Sequence, residues 1–274
     1  MSDTPRPIRI WYQGFTDPEI HGAYVGRLQA HLDRVAGPSV SVEFHGISPP
    51  ARHLHAVEEL RCSLSAMANA IEAEARGFDG FALGHFQEAG IHEIKSLIDI
   101  PAISLGEASM HFACLLARRF GLITIDPVFI PWHQDQVIRA GLSDRVVGVR
   151  AMRTSPADYM RAFTDEAAYR DVLRQFREQA EPLLAQGADL LIPAGGLPML
   201  LLSREAGLEI DGAPVLNGIN ALVAMTEAAV RLRRIDGTGV SRRSNYARPS
   251  GPAAEEFRAM LAAAGSLRAR SQAR

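Results

Sequence analysis

Residues 72–84 read EAEARGFDGFALG, and residues 181–195 read EPLLAQGADLLIPAG. The two stretches follow one plan. A helical pattern ends at a glycine, Gly77 or Gly187, an aspartate follows, and an apolar strand runs into a turn of small residues. Glycine suits the left-handed position that ends a helix. The echo predicts two related halves, each presenting a strand end to a shared cleft, because ligands of open parallel sheets gather outside the carboxyl ends of the strands. His85, after the first strand, and the Ala194-Gly195-Gly196 turn, after the second, would face each other across it.

The same alternation runs along the chain. Short apolar runs at 8–12, 41–45, 80–83, 102–105, 120–125, 145–149, 190–193 and 214–216 are separated by helical patterns at 22–35, 56–75, 107–119, 135–140, 166–186 and 218–234. Strands alternating with helices predict a parallel α/β fold. Residues 155–162 read as a loop leading into the long helix. Residues 1–105 with 212–250 are expected to form one half and 106–211 the other. From Ser241 an arm rich in arginine, serine and proline leads to a short helix at 253–264 and a frayed basic end, so that 251–274 stands apart as a C-terminal helix and tail.

Composition narrows the class. The chain has 274 residues, 47% apolar and 22% charged, with a formal charge of −2. That balance gives no electrostatic reason to expect nucleic acid or an anionic membrane as a partner. Two cysteines, Cys62 and Cys114, both inside apolar helical patterns, make neither a disulfide framework nor a zinc cluster and fit a reducing cytoplasm. The opening MSDTPRPIRI lacks the apolar stretch of a signal peptide, and no run reaches membrane-spanning length. A soluble cytoplasmic protein with a small-molecule substrate is the expectation.

Four segments carry a resemblance. PAISLGEASMHFACLLARRFGLIT, GLSDRVVGVRAM, GADLLIPAGGLPML and GAPVLNGINALVAMTEAAV are similar, in that order, to segments of hydantoin and allantoin racemases of the aspartate/glutamate racemase superfamily. GEASMH is the most specific part, and the similarity runs from about residue 8 to about residue 234. The resemblance implies an α/β protein of two Rossmann-like parallel-sheet halves around a pseudo-two-fold axis, with the active site in the cleft between them. It further implies no cofactor, a homo-oligomer, and proton chemistry at a carbon next to a carbonyl.

In those racemases each half supplies a cysteine at its strand end. Alignment with the first site puts His85 at the cysteine, with Gly84 before it, Phe86 after it and Glu88 at an acidic position. Alignment with the second puts Ala194 at the other cysteine. Tyr12, Gln13, Gly14 and Thr16 stand where superfamily members carry a polar carboxylate-binding turn. The resemblance therefore implies that the two-thiol mechanism is absent here.

Racemisation needs a base on one face and an acid on the other. With alanine on the second face, His85 suits one-sided chemistry, so a hydrolase or lyase acting on a cyclic ureide or carboxylic acid is the first expectation. An imidazole of ordinary pKa, about 6.5, serves as base or acid at neutral pH. Glu88 would orient the ring. A racemase or epimerase pairing His85 with a second group such as His133, in a loop after the fifth strand, is an alternative. A non-catalytic ligand-binding protein is another. Backbone donors around Gly84, Gly195 and Gly196 could hold an enolate or carboxylate, and Tyr12, Gln13, Thr16, Phe86 and Thr124 are further candidate contacts. Glu107 and His111, four apart on a helix, have a spacing that can share a metal; a helix-start role for Glu107 is the alternative, and no metal is expected.

Overall fold

A computed structural model of the protein describes residues 6–51 and 55–272. The first half builds β1 (Ile8–Gln13), α1 (Gly22–Val35), β2 (Val40–His45), α2 (Ala56–Ala75), β3 (Gly80–Leu83), α3 (Ile91–Leu97) and β4 (Ala102–Ser104). Its strands lie in the order β2-β1-β3-β4, all parallel.

Next come α4 (Leu105–Leu116), β5 (Phe120–Thr124), α5 (Phe129–Arg139), β6 (Val146–Ala151), α6 (Pro156–Ala162), α7 (Glu166–Ala185), β7 (Leu190–Ala194) and α8 (Gly196–Leu202). The second sheet is again parallel, in the order β6-β5-β7. A small hairpin, β8 (Glu209–Ile210) with β9 (Ala213–Pro214), leads to α9 (Gly218–Asp236), and α10 (Gly251–Gln272) closes the chain. No described helix is long and apolar enough to cross a membrane.

The internal echo is physical. Gly77 and Gly187 both take the left-handed conformation, at φ +72° and +87°. The aspartates that follow do the same work in each half. Asp79 accepts the Arg9 backbone N–H at 2.9 Å, and Asp189 accepts that of Arg119 at 3.2 Å. Each carboxylate thus sets the strand after the glycine against the first strand of its own sheet. Val215 forms a parallel bridge with Leu191, so 214–216, expected in the first half, takes the place beside β7 that β4 takes beside β3.

The halves are tied by exchanged helices. α4 leaves the first sheet and packs on β7, while α9 leaves the second and packs on β3, β4 and β1; the two helices also pack on each other. One apolar core consequently runs through both halves, joining Tyr12, Ala82 and Leu105 to Leu122, Ile192 and Leu222. Removing such area from water is the main stabilising term.

Two expectations need correction. Residues 156–162 are helical rather than a loop, because Ser155 and Asp158 form a reciprocal capping box with Pro156 at the start. The C-terminal helix continues to Gln272 instead of fraying after 264; 273 and 274 lie outside the described residues.

Candidate active site

The ends of β1, β3 and β7 meet around a cavity of about 210 Å³. Gly84 and His85 line it from the first half, and Ala194, Gly195 and Gly196 from the second. Pro156 and Met160 of α6 also line it, so the helix that had read as a loop forms part of the wall. Larger hollows of about 520, 580 and 370 Å³ lie beside β6 and α7, beside α8 and α9, and beside α2 and the His85 turn, the last lined by Glu59 and Gln87. Convergence of strand ends, rather than size, marks the candidate site.

His85 opens the turn after β3. Its ring lies on Phe15, with centroids 4.3 Å apart. Nε2 stands 3.7 Å from Oε1 of Glu59 on α2, an ion-pair distance but too long for a hydrogen bond. Nδ1 is buried with no hydrogen-bond partner among the described residues. Burial lowers the imidazole's pKa and the Glu59 charge opposes that shift. The ring is therefore neutral at neutral pH. A proton on Nε2 would point toward Glu59 and leave the Nδ1 lone pair unpaired, at a position sealed from solvent in this structure.

Glu88 does not orient this ring. It sits at φ +65°, and its carboxylate accepts from the Ser104 hydroxyl at 2.8 Å and lies 3.8 Å from the Arg139 guanidinium. Burial first, then the charge of Glu107, raises its pKa. The carboxylate near His85 is Glu59, which the sequence reading missed.

His133 lies inside α5, not in a loop, and is fully buried. The Gln136 amide donates to the Phe86 carbonyl at 2.5 Å, so its oxygen is left to accept from His133 Nδ1 at 2.6 Å. His133 Nε2 then accepts from Thr124 at 3.2 Å. Desolvation pulls its pKa down to about 4. His133 and Thr124 therefore form a clamp on the His85 turn and do not line the cleft. Phe86 is 1% exposed and packs edge-on against His133, with centroids 5.0 Å apart.

Strand alternation divides the end of β1. Tyr12 and Gly14 line the cleft, whereas Gln13 points away and is fully buried. Its oxygen accepts from Trp11 and Asn69, and its amide donates to the Gly14 carbonyl. Thr16 lines the cleft with its hydroxyl 2.6 Å from Nδ1 of His21, another residue the sequence reading passed over. The Gly195 N–H is spent on the Pro193 carbonyl at 2.8 Å, leaving those of Gly196 and Leu197 in the first turn of α8 without an intrahelical acceptor. Glu107 completes the capping box of α4 with Ser104 and pairs with Lys95, while His111 is exposed.

The family model described as Asp/Glu/Hydantoin racemase matches residues 22–226. The chain belongs to this family. A hydantoin racemase of Pseudomonas sp. (strain NS671) is 29% identical over 162 residues, 59% of this chain; the match spans 62% of that protein's length. Among solved structures, the allantoin racemase of Pseudomonas fluorescens superposes with a TM-score of 0.72 at 22% identity, covering 89% of this chain and 97% of that one. The allantoin racemase of Klebsiella pneumoniae gives 0.71 at 20%, covering 89% and 94%. The shared racemase fold is the two-half arrangement described above.

Within this family's cleft, the chain brings together one neutral imidazole, a methyl side chain at the facing strand end, the phenols of Tyr12 and Tyr24, and the Thr16–His21 pair. That set can move protons and donate hydrogen bonds to a carbonyl.

Proposed function

We propose that the protein is a racemase or epimerase of a small hydantoin-like compound, with His85 as one of its proton-transfer groups. The observation that carries this reading is the His85 ring in the strand-end cleft, neutral, with Nδ1 free of any described hydrogen bond. A hydantoin's ring carbon lies next to a carbonyl, so loss of its proton gives a planar enolate that can be reprotonated from either face. His85 stands at the position of the first thiol in the family resemblance and takes that proton. Glu59 stabilises the imidazolium that results. The Gly196 and Leu197 N–H groups are the backbone donors on the facing side.

The names of the relatives, hydantoin and allantoin racemases, support this chemistry over the hydrolysis or elimination that one-sided reasoning put first. A cytoplasmic, self-associating enzyme is part of the same proposal. The test follows the optical rotation of each enantiomer of a set of 5-substituted hydantoins, against a protein-free control. The purified protein is expected to abolish the rotation of at least one of them, and the His85→Ala variant to lose about 10²–10⁴-fold of that rate. Ring opening without racemisation would contradict the proposal.

A further inference from the structure

Inversion requires a proton to arrive on the face opposite His85, and the facing strand end offers only the methyl group of Ala194. Among the described residues, the cleft's titratable or hydroxyl side chains are Tyr12, Thr16, His21, Tyr24 and His85. Thr16 and His21 bond each other in the segment joining β1 to α1, in the same half as His85. The Tyr12 hydroxyl lies against Gly84, 2.5 Å from where a Cβ on that glycine would stand, and so is also on the His85 side.

Tyr24 is different. It rises from α1, but its hydroxyl reaches the second half. It lies 4.0 Å from where a Cβ on Gly196 would stand, two residues beyond Ala194, a point that the Gly84 carbonyl of the first half also approaches, at 3.6 Å. Its ring sets against Phe163, just past α6, with centroids 6.0 Å apart. Its hydroxyl has no hydrogen-bond partner among the described residues, so its proton is uncommitted.

We propose that the Tyr24 hydroxyl is the proton carrier on the second face, opposite His85. This rests on the racemase reading above. In one direction His85 Nδ1 takes the proton from the substrate carbon, and the C–H electron pair moves into the enolate. The enolate then collapses as a new C–H bond forms on the other face with the Tyr24 proton. Imidazolium and tyrosinate remain. A molecule of the opposite enantiomer resets them by the reverse steps, or water carries a proton from one to the other. No co-reactant is consumed. Burial holds the phenol well above its ordinary pKa, which keeps it protonated between turnovers and makes the tyrosinate a strong base for the return.

The experiment uses the full chain with each pure enantiomer of 5-benzylhydantoin in deuterated buffer. Proton NMR reads exchange at the ring carbon, circular dichroism reads inversion, and a protein-free control is subtracted. Wild-type protein is expected to exchange and invert both enantiomers. Tyr24→Phe, which keeps the ring against Phe163, should lose inversion by about 10²–10⁴-fold. It should retain exchange, within about threefold, for only one enantiomer, the one whose proton faces His85. His85→Ala should lose exchange and inversion of both enantiomers, because the phenol that remains is held protonated and has no proton acceptor opposite it.

Wild-type inversion rates in Tyr24→Phe would overturn the assignment. So would loss of exchange for both enantiomers in equal proportion, the mark of a carbonyl-binding role. Either result leaves the His85 reaction standing. A wild-type protein that neither exchanges nor inverts this probe overturns the Tyr24 assignment, and the optical-rotation set then decides the fate of the racemase reading separately.

Discussion

Nε2 of His85 faces Oε1 of Glu59 at 3.7 Å, and the two residues come from different elements, the turn after β3 and the first turn of α2. The pairing opposes the desolvation that drives the imidazole toward neutrality. Among the described residues, the charge of this ring also couples to His133, itself neutral above about pH 4.

Removing the carboxylate leaves burial unopposed. In Glu59→Gln the His85 pKa falls further, so the acid limb of the pH–rate profile moves to lower pH. The rate above that limb drops by about tenfold, short of the ~10²–10⁴-fold expected on losing the imidazole. An acid limb that stays in place would show that Glu59 is not electrically coupled to the base.

Gln136 bridges the buried His133 ring and the Phe86 carbonyl, adjacent to the catalytic turn. Gln136→Ala strands a buried donor and a buried acceptor, each worth about 1–3 kcal/mol. Denaturant unfolding should report a loss of about 2–6 kcal/mol for the two together, accompanied by a lower racemisation rate as the His85 turn loosens. Unchanged stability would mean that the clamp relaxes at no expense.

The alternation of strands and helices and the facing strand ends were legible in the sequence because the apolar runs, Gly77 and Gly187 act locally; the order of strands within each sheet was not read. The misreadings share a cause. The helix expected at 135–140 starts at Phe129, with Pro131 in its first turn, where proline's missing N–H would have had no partner. That shift placed His133 in a loop. Tyr24, Leu28 and Leu32 have the spacing of one buried helix face, and nothing local says that the first of them reaches into the other half. Glu58 and Glu59 are neighbours in sequence; which one meets His85 is decided by how α2 packs beside β3. Gln13 could have been set aside from sequence alone, since a strand turns neighbouring side chains to opposite faces.

Glu88 carries a stability signature. Burial, and then the Glu107 charge, raises its folded-state pKa, so the folded protein holds this proton more tightly than the unfolded chain does. The stability associated with that proton is complete below the unfolded value, about 4.3, and is lost as the pH rises through the folded value. Glu88→Gln keeps an acceptor for Ser104 without the charge. Thermal melts should find the variant more stable than wild type at mildly alkaline pH, with the advantage gone at a pH of about 4. Equal melting temperatures at both pH values would refute this.

Gly84 is set by contact rather than by backbone angle. A Cβ there would come 2.3 Å from the Tyr12 ring, which is buried and cannot yield. Gly84→Ala is expected to lose about 1–3 kcal/mol in denaturant unfolding. It should also raise KM, because the displaced ring forms part of the cleft. A variant with wild-type stability and KM would show that the turn has slack.

The most direct test of the central claim is deuterium uptake from solvent at the ring carbon of a single hydantoin enantiomer, followed together with its optical rotation. The account predicts that wild-type protein incorporates one deuterium per inversion and that His85→Ala stops inversion while retaining its fold by circular dichroism. Inversion at an undiminished rate in His85→Ala would contradict it, because the imidazole in the strand-end cleft would then not be the base.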